Sequence, residues 1–203
     1  MAYPTVAGPY GFQPINLIGG QVFAGATRQI PIASGSGTSI FYGDVVRLNT
    51  GGTLSRVSTT DSATDAVGIF LGCAFTNPTT KQFLQQQFYP ASTVASDIVA
   101  YVCDDPDTYF KVAVLSGAST IGGMTQTDIG NNVAILVTAG NTTFGDSNEG
   151  VSATTGSTTT LPFRVIAGVP ETVNASGSFT EVIVKFNFGV HTYYSAAAVA
   201  TAA

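Results

Sequence analysis

Chemistry at a protein site needs groups that exchange protons, attack as nucleophiles or hold ions, and this sequence offers few of them. His191 is its only histidine. A paired-histidine acid and base, or a metal site with several imidazole ligands, has no material within one chain. Serine is plentiful, yet no Gly-x-Ser-x-Gly elbow is present, and a hydrolytic triad would have to draw on the same lone histidine. His191 therefore reads as structural or as part of an interface. Asp104, Asp105 and Asp107 in "CDDPDTY" could offer oxygens to calcium, but the spacing is not that of an EF-hand loop, and Pro106 among aspartates is turn chemistry. "GASTIGG" and "SGSG" lack the lysine of a phosphate loop. Asn141 in "NTT" and Asn174 in "NAS" fit the glycosylation sequon, which arises by chance in Ser/Thr-rich loops. No catalytic residue, cofactor or metal is expected, and the chain reads as a non-enzyme.

The elements that could position any site are strands. Hydrophobic residues make up 44% of the 203 and charged ones only 9%, against a usual charged share of about 25%. Solubility must come from Ser, Thr, Asn, Gln and the 23 glycines, a mixture that suits short strands joined by tight turns. The fold class is all-β, a small β-barrel or a β-tulip or sandwich-like domain, and the length suits one folded unit. With 7 Lys and Arg scattered singly and a net charge of -5, no basic stripe exists to neutralise phosphates, so direct nucleic-acid binding is not expected. Apolar runs stay short of the roughly 18 residues of a membrane span. The first twenty residues lack a basic region followed by an apolar one, so the expectation is a chain made in a cytosol and not secreted. On that footing Cys73 and Cys103, which could form one disulfide, read as buried, reduced core residues.

Along the chain, "RQIPIA" from Arg28 suits an edge strand and "IFYGDVVRL" a strand bent or bulged at Gly43. "VVRL", "TLSRVS" and "AVGIFLGCAF" read as a β-meander, with Gly68 and Gly72 on one face where another backbone or a bulky ring approaches. "TNPTTKQFLQQQFYPAS" is a hairpin or one helical turn. "DIVAYVC" and "YFKVAVL" are strands joined by "DDPDT". Thr125, Asp128 and Gly130 mark a short helical turn before the strand "VAILVT". The polar stretch "NTTFGDSNEGVSATTGSTTT" from Asn141 reads as an exposed loop tolerant of insertion. "LPFRVIAGVP" and "FTEVIVKFNF" close the strand set, and residues 191–203 form a tail.

Residues 1–25 combine three prolines with aromatics and show no period, which predicts an extended N-terminal arm ahead of a β domain over 26–190, itself divisible near 116. Tyr3, Tyr10, Phe12, Ile15 and Leu17 are the expected partner-binding residues, because aromatic and branched anchors are what interface pockets bury.

"GDVVRL" followed by "AVGIFLGCAF", with "YFKVAVL", "MTQTDIGNNVAIL" and "LPFRVIAGVPETVNASGSFTEVIVKFN", resembles segments of tailed-bacteriophage capsid decoration, or cement, proteins over most of residues 26–190. The resemblance implies a virion structural protein on the outer capsid surface, made in the host cytoplasm. Its partners would be the major capsid protein and further copies of itself, a trimer first among the oligomers. It would bridge and stabilise neighbouring capsomers against internal DNA pressure. The alternative is a host-surface or glycan-binding β-sandwich adhesion module of a virion.

Overall fold

The computed structural model describes residues 6–58 and 65–194. Among them every regular element is a strand, apart from 3-10 turns such as Gln126–Asp128 and Pro170–Thr172. The strands are β1 (Gln13–Leu17), β2 (Arg28–Pro31), β3 (Val45–Leu48), β4 (Leu54–Arg56), β5 (Ala66–Thr76), β6 (Phe83–Gln86), β7 (Val99–Cys103), β8 (Thr108–Leu115), β9 (Asn132–Leu136), β10 (Gly150–Gly156), β11 (Phe163–Gly168) and β12 (Glu181–Phe186). The all-β expectation holds, in the form of a closed five-stranded barrel beside a second sheet.

The barrel runs β8, β10, β9, β11, β12 and back to β8, with β1 added along β8. Closure removes the free edges that an open sheet of this size would leave for stray pairing. Its interior is built from alternating inward side chains: Phe110, Val112 and Val114 of β8, Val133 of β9, Phe163 and Val165 of β11, Val182, Val184 and Phe186 of β12. The second sheet runs β2, β7, β5, β3, β4, with β6 paired to β5. A parallel bridge from Ile32 to Leu54 draws its two ends together. β2 is an edge strand, as Pro31 requires. β3, β4 and β5 are not a simple meander, however: β5 returns to pair with β3 rather than β4, leaving β4 outermost.

The chain passes from one sheet to the other at Asp104–Asp107, ahead of the division read near 116. The two sheets nonetheless share a core, since Val45, Val57, Ala66, Ile69 and Cys103 pack into the same cluster as the barrel residues. Within the second sheet, Gly68 lets β5 lie close against the end of β7, because a Cβ there would fall 2.2 Å from the Cys103 carbonyl oxygen.

Two further expectations are corrected. The arm is not extended and free over residues 13–17: these form β1, antiparallel to β8, and Phe12 is fully buried with its ring 4.6 Å from that of Phe163. Gly11 and Gly43, both at positive φ, let the chain cross there, with the Phe12 N–H donating to the Gly43 carbonyl at 2.9 Å. The second correction concerns 141–160. This stretch contains β10, a strand inside the barrel, and Ser147, Glu149 and Val151 are fully buried. Small residues fit here because β10 runs against Leu115, whose side chain would stand 2.7 Å from a Cβ at Gly150.

The join between the sheets is charged. Arg56 Nε of β4 lies 3.0 Å from Asp44 Oδ2 and 2.9 Å from Glu149 Oε1, and Arg56 Nη2 donates to the Thr138 carbonyl. Glu149 Oε2 accepts the Val45 N–H at 2.9 Å, and Asp44 Oδ2 accepts the Phe41 N–H at 2.8 Å. Both carboxylates are fully buried and share one guanidinium. Burial pushes Asp44 up to about 6 against the opposing pull of Arg56. Burial, then repulsion from Asp44, raises Glu149 well above its usual range.

Candidate functional site at the Asp104–Asp107 turn

The turn that carries the chain between sheets is also where the segment leaving β1 and the segment leaving β12 come together. β1 runs antiparallel to β8 until Leu17 stands opposite Thr108, and β12 does so on β8's other side until Lys185 stands opposite Tyr109. Both strands therefore leave the barrel at the end where β8 begins, roughly 10 Å apart across two strand spacings. Asp107 joins them: its carbonyl accepts the Ile18 N–H at 3.0 Å, and its carboxylate takes Lys185 Nζ at 2.8 Å. After Leu17 the chain turns back through Gly19 and Gly20 so that Val22 bridges to Asn16. Ile18 and Val22 are left exposed.

The segment after β12 folds over the same end. His191 is fully buried against Phe186, ring centres 5.1 Å apart, and its Nδ1 accepts the Tyr193 N–H at 3.2 Å. Burial pushes its imidazole down to about 4, so it sits there neutral. Thr192 N–H donates to the Ala66 carbonyl at 2.9 Å, fastening the segment to the second sheet. Tyr193 donates its hydroxyl to Asp104 Oδ2 at 2.6 Å, and Arg28 of β2 both pairs with Asp104 at 2.9 Å and lies over the Tyr193 ring. The segment read as a tail is thus packed structure over residues 191–194. Outside this clasp the Phe188 ring, 78% exposed, stacks on Tyr194 at 5.4 Å.

The three turn aspartates are all engaged by the protein. Asp104 takes Arg28 and Tyr193, Asp105 Oδ1 accepts the Asp107 N–H at 2.8 Å, and Asp107 takes Lys185. Among the described residues no group of three or more His, Cys, Asp or Glu is placed to hold a metal. Asn141 and Asn174 likewise spend their side-chain oxygens on nearby backbone N–H groups.

Of the expected partner-binding residues, Tyr3 lies outside the described residues. Tyr10 is turned inward, its hydroxyl donating to Glu181 and the Lys111 ammonium 5.5 Å over its ring; burial, then Glu181, raises its phenol. Phe12 belongs to the core. Ile15 and Leu17 are half-buried in β1 and run toward the turn. The exposed apolar residues at this end are instead Ile18, Val22, Phe188 and Tyr194, which sequence reasoning missed. The signal lay in their neighbours: a Gly-Gly turn after an apolar strand, and aromatics on both sides of a lone histidine. No family model, curated protein or solved structure matches the chain.

Proposed function

We propose that this chain is a non-enzymatic structural protein of a bacteriophage virion. It attaches to the outer face of a major capsid protein lattice, bridging neighbouring subunits and bracing them against the pressure of packaged DNA. One observation carries the reading: Ile18, Val22, Phe188 and Tyr194, from opposite ends of the chain, stand exposed at one end of a closed barrel on a protein with only 9% charged residues. Side chains held out by a fastened backbone lose little further entropy on docking, and each one fully buried against a partner contributes roughly 1.5 to 3 kcal/mol. A shell repeats the contact, and association of copies, a trimer first, links the attachments so that modest single affinities become tight. The acidic balance of 12 Asp and Glu against 7 Lys and Arg suits the outside of a shell rather than its DNA-filled interior. The resemblance of its strand segments to capsid cement proteins supports the same assignment.

Electron microscopy of purified particles from the source, with mass spectrometry of their proteins, tests it. The chain is expected at regular external sites and in fixed ratio to the shell subunit. Particles that lack it would overturn the proposal.

A further inference from the structure

A groove of about 500 Å³ lies at the bulge that shifts the register of β5 against β7 between Phe70 and Gly72. Leu71 and Gly72 of β5, Gln85 and Gln86 of β6, Tyr101 of β7 and Tyr42 ahead of β3 line it. Gly72 keeps it open, since a Cβ there would crowd the Gln86 carbonyl oxygen at 3.0 Å. The lining carries carboxamides, phenols, one aliphatic side chain and the Cys73 thiol, which is pointed at the Phe88 carbonyl, with no charged residue among those that form the wall.

Each possible ligand class meets that wall differently. An anion finds no cation to pair with and a cation no carboxylate on the lining itself. A purely apolar ligand would leave polar groups dry, and one is already in deficit: the Gln86 side-chain oxygen is buried without a hydrogen-bond partner, a condition that favours arrival of a donor. Tyr42 is held as a neutral hydroxyl, its phenol raised by burial and then by the Asp146 charge. Gln87, also in the wall, is fixed by a hydrogen bond that its side-chain amide donates to Asp146 Oδ1 at 2.5 Å. A ligand with many hydroxyls and flat C–H faces satisfies all of these at once, its hydroxyls meeting amides and phenols while its faces lie on tyrosine rings.

We propose that this groove is a binding site for a neutral saccharide. The site is argued from the groove alone and stands whether or not the chain is shell-bound. The test uses the full chain with maltohexaose, cellohexaose and chitohexaose as probes and sialyllactose as the acidic comparison, followed by saturation-transfer NMR and titration calorimetry. At least one neutral probe is expected to bind at ~1 mM or tighter, and Gln85→Ala and Tyr101→Ala each to weaken it about tenfold. Gln85 is exposed, so its variant should melt with the parent and keep the comparison clean. Failure of all three neutral probes to bind, preference for sialyllactose, or unchanged affinity in both variants would overturn the proposal.

Discussion

Phe12 lies stacked on Phe163, ring centres 4.6 Å apart and planes 18° from parallel, so the beginning of the chain is a wedge in a barrel whose last strands are far away in sequence. Phe163 in turn meets Phe186 at 4.6 Å and Phe110 edge-on, making Phe12 the outer member of a four-ring cluster.

Phe12→Ala should therefore cost about 3 to 5 kcal/mol, the range for emptying a buried aromatic site. Removal of residues 1–20 should unfold the barrel rather than free an intact domain. Urea denaturation of both variants checks this, and a truncated protein with the parent's midpoint would show that β1 and Phe12 are dispensable.

Asp44 sets a dependence on pH. Its folded-state value of about 6 lies above the 3.8 of an ordinary aspartate, so between those values the folded form binds more protons than the unfolded one. Its contribution is full below about pH 4 and is lost as pH rises through 6. Asp44→Asn leaves Arg56 paired with Glu149 alone and removes that loss. Relative to the parent, the variant should lose less stability as pH rises from 4 to 7, read from chemical denaturation at a series of pH values.

His191 acts in the opposite sense. Held down at about 4 from an ordinary 6.5, it contributes stability that is full above pH 6.5 and disappears as pH falls through 4. His191→Asn should flatten that acid limb while lowering stability at pH 7 through lost packing on Phe186. An unaltered slope between pH 6.5 and 4 would mean that the imidazole is not the group responsible.

Ile18→Ser with Phe188→Ser tests the proposed attachment surface. Both side chains are exposed, so stability should shift by no more than about 0.5 kcal/mol. Binding to shells stripped of the chain should fall at least about tenfold in a co-sedimentation assay.

Cys73 and Cys103 are buried and unpaired, and burial raises their thiols to about 12 and about 11. Neither should react with iodoacetamide in the native protein at pH 8, and both should react in denaturant. Rapid labelling of the folded chain would count against this packing.

Legibility in the sequence followed the local strength of each signal. β5, β7, β8, β11 and β12 carry apolar runs or clean alternation, and they were readable with the Thr125–Asp128 turn, where the Thr125 N–H donates to Asp128 Oδ2 at 2.8 Å. Gly68 was readable too, as a place where a backbone approaches. β10, "GVSATTG", was hidden because its burial comes from small residues fitting a narrow barrel rather than from hydrophobicity. Phe12 looked like a partner anchor because its slot is made by residues remote in the chain. The Asp44, Arg56 and Glu149 cluster had no local mark at all, since an acid in a polar stretch looks solvated until the fold buries it. The exposed surface at the Asp104–Asp107 turn was equally invisible, being assembled by strand register from the segments that follow β1 and β12.

The sharing of one guanidinium between Asp44 and Glu149 also has a bearing on synthesis. Arg56 leaves the ribosome 93 residues ahead of Glu149, a wait of about 5 to 20 seconds at ordinary elongation rates. During that interval the nascent second sheet can close over Ile40, Phe70 and Tyr89, but its barrel-facing side has neither Glu149 nor Phe163 to meet it. A ribosome stalled once Asp107 has cleared its exit tunnel should thus display a partly folded, sticky intermediate. Final closure is a late event that begins only once β10 to β12 have emerged.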